Sequence, residues 1–167
     1  MRWTIHSLGT GVKPVSTQQA HLRLDSSGRF LQNPLMRVTK LLHTRMRVSD
    51  MDQTIRFYTE VLGLEVLDRK VSPRGSHLAF LKVPNSDALI ELCSFPPSGP
   101  VNVQEDLVHL AFQVESLDDT IRALTAQDIR ITDGPTTSSS GNRFIFIDAP
   151  DGYEIELIER APGVAIV

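Results

Sequence analysis

The chain has a single cysteine, Cys93, in 167 residues. That scarcity excludes an intrachain disulfide and any cysteine-rich metal site, and it fits a reducing compartment such as the cytoplasm. The sequence around Cys93 matches no nucleophile signature, so the residue reads as a small half-buried strand position. Long apolar runs are also missing. None approaches the ~20 residues that span a bilayer, so no membrane partner is expected. Nor is there an excess of positive charge: the net charge is −3 and the isoelectric point about 5.9, which argues against nucleic acid as a partner. With 41% apolar and 22% charged residues, what is left is an ordinary globular chain. Its length suits one domain, or two small modules sharing one core.

The charge that is present is unevenly placed. Residues 1–40 hold six basic residues against one acid, Asp25, leaving eleven basic against nineteen acidic in the rest. This first segment is rich in Ser, Thr and Arg, with no sustained helical period and no apolar core of a secretory signal. Its composition would suit a transit peptide, or an upstream stretch if translation starts at Met36. The expectation is a dispensable N-terminal extension over 1–40, with a short C-terminal tail over 161–167.

What the chain does contain is a repeat. "LLHTRMRVSDMDQTIRFY" at 41–58 and "LVHLAFQVESLDDTIRAL" at 107–124 align with His43 over His109, an offset of 66. Val48 then meets Val114, Asp52 meets Asp118, and Thr54-Ile55-Arg56 meets Thr120-Ile121-Arg122. One residue is then lost, and Ile90-Glu91-Leu92 lies over Ile155-Glu156-Leu157. A duplicated unit is the first fact that any fold must satisfy.

Each copy reads as βαβββ. Residues 41–48 alternate, with Leu42, Thr44, Met46 and Val48 on one face and His43, Arg45 and Arg47 on the other. Ser49 stands three residues before Asp52 as a candidate helix cap, Met51, Ile55 and Tyr58 follow at helical spacing, and Gly63 closes the helix. "LEVLDRKV", "SHLAFLKV" and "ALIELCSF" are three further strands split by turn residues. The second copy repeats the pattern with a helix over 117–126 and strands in "IRITDG", "RFIFID" and "YEIELIER". Residues 135–142, "PTTSSSGN", read as a flexible insertion. Residues 95–106 read as an extended Pro-Pro linker. The predicted class is α+β: tandem βαβββ modules over 41–94 and 107–160, forming one domain over 41–160.

The alternation also sorts the polar residues. His43 points away from the face carrying Met46 and Val48, and Glu91 points away from Ile90 and Leu92. His109 and Glu156 do the same in the second copy. A glutamate between apolar neighbours is what any strand with one wet face looks like, and a lone strand histidine is more often hydrogen-bonded than ligating. Two such pairs in register across a repeat carry more weight. Two imidazoles and two carboxylates suit Zn²⁺, Ni²⁺, Co²⁺, Mn²⁺ or Fe²⁺ and not Cu(I). On an octahedral ion they leave positions for substrate oxygens beside a carboxylate able to move a proton. Arg45 and Arg47 share the face of His43, and one of them would suit an anionic substrate end. The plain alternative for both is solubility on an edge strand.

In "LLHTRMRVSDMDQTIRFYTEVLGLEVL", "LIEL", "VHLAFQV" and "DAPDGYEIELIE" the chain resembles the vicinal-oxygen-chelate superfamily, and within it the glyoxalase I (lactoylglutathione lyase) family, over about residues 41–160. The resemblance implies metal ligands His43, Glu91, His109 and Glu156, and one divalent ion per site, Ni²⁺ or Co²⁺ favoured and Zn²⁺ an alternative. It implies glutathione as co-substrate and Arg47 at the glutathione carboxylate. Glu156, with Glu91 as the other candidate catalytic carboxylate, would convert the methylglyoxal–glutathione hemithioacetal to S-lactoylglutathione through a metal-bound enediolate. It also implies a homodimer with active sites at the subunit interface, each built from His43 and Glu91 of one chain and His109 and Glu156 of the other. The chain departs from the family where an asparagine usually helps to hold glutathione, four residues after the second ligand: here stands Phe95, with Asn102 or Asn142 as candidate substitutes. Three relatives within the superfamily are the alternatives. An acyl-CoA epimerase usually has paired histidines that "LVHL" lacks. An extradiol dioxygenase needs one carboxylate only, and metal-free resistance proteins lose the ligands that this chain keeps.

Overall fold

A computed structural model describes Ser27 and residues 37–164. The chain divides into two compact units, Met1–Thr39 and Lys40–Val167. Most of the expected N-terminal extension, and Val167 with its two predecessors, lies outside the described residues. The second unit is α+β, in two four-stranded sheets of identical topology.

In the first module β1 (His43–Arg47) lies at the edge of a sheet ordered β1-β4-β3-β2, with β2 (Glu65–Val71), β3 (His77–Lys82) and β4 (Leu89–Ser94). The second repeats this as β5-β8-β7-β6, with β5 (His109–Val114), β6 (Ile131–Thr137), β7 (Arg143–Asp148) and β8 (Glu154–Glu159). Each edge strand β1 or β5 pairs in parallel with its neighbour, because a helix intervenes to bring the chain back; the other pairs are antiparallel.

The helices follow from their caps. Helix α1 (Met51–Arg56) continues as a widened π-type turn over Phe57–Val61 and stops at Gly63, whose φ of 71° lets the Leu64 amide turn back to the Tyr58 carbonyl. Its cap is Asp50, which accepts from the Gln53 amide at 2.9 Å, and not Ser49. Ser49 is spent elsewhere: its amide donates to Asp151 Oδ2 and its hydroxyl accepts from the Val101 amide. Helix α2 (Leu117–Ala126) is capped by Ser116.

The apolar faces of both sheets close one core. Met46, Val48, Leu81, Ile90 and Leu92 of the first module share a cluster with Ile145, Ile147, Ile155 and Leu157 of the second. Two expectations about loops fail. The 95–106 linker is not a free extended connector: Pro96–Ser98 forms a 3₁₀ turn, and the Val101 and Val103 amides are pinned to Ser49 and to the Asp151 carbonyl. The 135–142 segment is not a flexible insertion either. Strand β6 runs through Thr137, and the Ser138–Asn142 turn is tied by backbone bonds and by Asn142, buried, accepting from the Ala161 amide at 2.9 Å. Among the described residues, no helix is long and apolar enough to cross a membrane.

Candidate metal centre

Burial of Met46 and Val48 turns the alternate residues of β1, His43, Arg45 and Arg47, away from the core. On β4 the same alternation, with Ile90 and Leu92 in the core, sends Glu91 to that side. Register sets Arg45 beside Glu91 and His43 beside Leu89, so the histidine reaches its carboxylate on the diagonal. His43 Nε2 lies 3.1 Å from Glu91 Oε2. The second module repeats the diagonal: Ala111 stands beside Glu156, His109 beside Glu154, and His109 Nε2 lies 3.5 Å from Glu156 Oε2. The carboxylates are the sheltered members, 11% and 17% exposed against 42% and 47% for the histidines. A sheltered anion needs a partner, and here each faces an imidazole.

The donor chemistry and spacing fit a divalent cation. Donors on adjacent corners of an octahedron with bonds of about 2.1 Å lie about 3.0 Å apart; the first Nε2–Oε2 separation, 3.1 Å, is near that value and the second, 3.5 Å, is longer. The fit is that of two half-sets. Among the described residues, no three His, Cys, Asp or Glu side chains group around one point. One chain therefore brings His43 together with Glu91, and His109 together with Glu156, on separate sheets, and does not bring the two pairs together.

Several neighbours escape a reading of the sequence alone. The His43 ring meets Phe80 edge-on at 6.1 Å and the His109 ring meets Phe146 at 5.7 Å, so each imidazole is braced by an aromatic wall. Phe80 and Phe146 are separated by the same 66 residues as the histidines, a signal present in the sequence. Glu154, two residues before Glu156 on the same face, brings Oε2 to 3.9 Å from His109 Nδ1. The modules differ there, with Leu89 beside His43, and again at Arg45. Arg45 Nε lies 3.4 Å from Glu91 Oε1, and its terminal nitrogen donates to Cys93 Sγ at 2.7 Å. The Cys93 bond contributes most to holding the Arg45 pKa above its ordinary value, with a smaller part from the Glu91 charge. Cys93 itself is fully buried, not half-buried as the sequence reading has it.

Arg47 is tied down. Its terminal nitrogen donates to the Phe95 carbonyl at 3.3 Å, its own carbonyl accepts from the Tyr153 hydroxyl at 2.9 Å, and its Nε is buried without a partner. Asn142, one candidate for the missing asparagine, has its side-chain oxygen engaged at Ala161, and Asn102 stands exposed in the linker. Two cavities flank these features. One of about 470 Å³ borders Glu91 and Arg45. The larger, about 790 Å³, runs along the unpaired edge of β5 toward α2 and the 83–86 turn, and contains none of the four His and Glu residues. Its lining offers one ionisable group, Glu115.

Two βαβββ sheets of identical topology in one chain define a duplicated α+β class of protein. Residues 40–157 match the Glyoxalase/Bleomycin resistance protein/Dioxygenase superfamily, and the chain belongs to that superfamily. Among named relatives, the "Probable lactoylglutathione lyase" of Synechocystis is 32% identical over 125 residues, covering 72% of this chain and 95% of its own. A chloroplastic "Probable lactoylglutathione lyase" of Arabidopsis thaliana is 33% identical over 127 residues, covering 74% of this chain and 36% of its own. The match thus spans nearly all of the bacterial relative and about a third of the plant one. Of solved structures, the trypanothione-dependent glyoxalase I of Leishmania major superposes with a TM-score of 0.61 at 32% identity, covering 73% of this chain and 87% of the other. An antibiotic-binding protein from a Streptomyces species shares the fold alone, at 21% identity and a TM-score of 0.62 over 75% of this chain and 99% of its own.

Proposed function

We propose that the protein is a metal-dependent lyase of the glyoxalase I type, acting on the hemithioacetal of methylglyoxal and a thiol, glutathione being the first candidate. The observation that carries this is the matched pair of His–Glu diagonals at equivalent positions of two sheets. His43, Glu91, His109 and Glu156 would hold the ion, Ni²⁺ or Co²⁺ ahead of Zn²⁺. When bound, the cation supplies Lewis-acid polarisation of two adjacent substrate oxygens. The chain's residues do the rest. Glu156 accepts the proton from the sulfur-bearing carbon and returns it to the neighbouring carbon, while the hydroxyl proton passes from the first carbon's oxygen to the second's, so that hemithioacetal becomes hydroxy-thioester with no atom gained or lost. Glu91, gripped by Arg45, is the less mobile carboxylate and stays a ligand. Phe80 and Phe146 shield the reacting carbons from water.

Because one chain presents two separate half-sets, the reading includes a C₂ homodimer with two equivalent sites, each taking His43 and Glu91 from one protomer and His109 and Glu156 from the other. Both histidines lie on unpaired edge strands, and the apolar residues leading into those strands, Leu41, Leu42, Leu107 and Val108, are exposed. Such edges invite a partner. A cytoplasmic setting suits a thiol substrate.

The deciding experiment measures metal content of the purified protein, then isomerisation of methylglyoxal with glutathione, with other thiols, and of acyl-CoA epimerase substrates. Turnover after exhaustive chelation, or none with any thiol, overturns the reading. Phe95 and the tethered Arg47 favour a second version of it, in which the carboxylated substrate end is recognised elsewhere on the same face.

A further inference from the structure

The cavity of about 470 Å³ beside Glu91 is bounded by Arg45 and Leu78 on the sheet and by Ser72, Arg74 and Ser76 at the β2–β3 turn. The turn is well braced. The Ser72 amide donates to the Ser76 carbonyl, the Gly75 amide to the Ser72 carbonyl, and the Ser76 amide to Ser72 Oγ at 3.0 Å. Arg74 projects from it, exposed, without an ion pair or side-chain hydrogen bond to any described residue. Arg45 spends Nε on Glu91 and one terminal nitrogen on Cys93, which leaves its other terminal nitrogen uncommitted. Two guanidinium groups thus share a cavity whose single carboxylate, Glu91, is already engaged by His43 and Arg45.

We propose that this cavity is a carboxylate subsite, with Arg45 and Arg74 as its specificity-determining residues. Like charges lining one cavity favour a bound anion between them, and the planar guanidinium fork matches a carboxylate in two parallel bonds. Ser72 and Ser76 add hydroxyl groups at the rim, and Leu78 adds an apolar wall. The subsite belongs to one module only, since Ala111 stands where the second module would need its counterpart of Arg45. It rests on the lyase reading for what sits at Glu91, beside which the bound carboxylate lies. That carboxylate comes from one of two sources: the end of the thiol, or a small oxygenated acid.

The test is calorimetric titration of the full-length protein and its Arg74→Ser variant with S-methylglutathione, its dimethyl ester, and D-lactate. Arg74 is exposed and outside the His–Glu pairs, so the variant keeps the fold, checked by its melting temperature. The expected result is that S-methylglutathione or D-lactate binds the variant about tenfold to a hundredfold more weakly than the wild type. The dimethyl ester should bind both equally, and Arg74→Lys should recover part of the loss. The acid that discriminates names the source. Equal binding of both acids by both proteins, no binding of either acid, or an equal loss for the ester overturns the subsite. Arg74-dependent binding without turnover of any hemithioacetal would overturn the lyase reading and leave the subsite standing. Turnover with Arg74-independent binding would do the reverse.

Discussion

His43 and Glu91 meet although they are not neighbours in register: the histidine is paired with Leu89 and the glutamate with Arg45, and the contact runs across the diagonal at 3.1 Å. The same diagonal at His109 and Glu156 leaves Ala111 in the corner that Arg45 fills in the first module. The corner beside Glu156 therefore lacks the guanidinium that contacts Glu91.

Replacing Glu156 by Gln keeps the size of the side chain and removes the proposed base. We expect a fall in turnover of about 10²–10⁴-fold, the range typical of positioned proton transfer, with the fold intact. Steady-state rates and a melting curve check it. A Glu156→Gln protein at full rate would falsify the assigned role.

The shared-site dimer predicts complementation. Inactive His43→Ala and inactive Glu156→Ala chains, mixed and reassociated, should form a heterodimer with both lesions in one site and none in the other, recovering about half of the wild-type rate. If both pairs of a site came from one chain, every site would keep a lesion. No recovery, after mass analysis has verified the heterodimer, would count against exchange.

Leu92 lies wholly inside the core, between the two residues of β4 that face the site. Leu92→Ala should cost about 2–5 kcal/mol of stability through lost burial and the cavity left behind. Denaturant unfolding measures this, and a loss under about 1 kcal/mol would mean that the site collapses to fill the space.

Tyr58 is fully buried, and burial raises its phenol well above the ordinary tyrosine value. The folded state therefore holds the proton more tightly than the unfolded chain. The linked stability is complete below the unfolded pKa of about 10 and is lost as pH climbs from there toward the folded value. Thermal melts should show the wild type falling above about pH 10 while Tyr58→Phe, which loses only a 3.6 Å contact to Met46 Sδ, falls less steeply. Parallel curves would show that the phenol is not the titrating group.

The described core cluster draws on residues 46–157 and no earlier ones. A chain beginning at Met36 should melt within about 4 °C of the full-length protein, the shift that about 1 kcal/mol produces at this size. A larger drop would place part of 1–35 on the core.

The repeat made the fold legible. Two-residue alternation assigned each strand to within a few residues, and the 66-residue offset paired the histidines before any coordinates. What stayed hidden were choices between equivalent local chemistries. Ser49 and Asp50 are both good caps, and only the Val101 amide, 52 residues away, which donates to the Ser49 hydroxyl, decides that Ser49 is occupied. Pro96-Pro97 reads as an extended linker until Ser49 and Asp151 are seen to hold its far end. The serine-rich 138–142 turn reads as loose because nothing nearby in sequence announces that Asn142 will accept from Ala161. At the site, single residues on alternating strands could be placed on a face. Which of them touch depends on diagonal register, and that is why Glu154 and the Arg45–Cys93 bond are not legible in the sequence, whereas Phe80 and Phe146 carry the 66-residue offset of the histidines.

The corner occupied by Arg45 in one module and Ala111 in the other has a consequence for ancestry. A site assembled from two unfused copies of one module is bound by two-fold symmetry, so every side chain it contains must appear twice. Joining the copies in one chain lifts that constraint: a mutation enters one half of each site and not the other. An arginine at both corners would restrain both glutamates, and an alanine at both would restrain neither. The tandem chain has one of each, so duplication here lets two equivalent carboxylates sit in unlike surroundings.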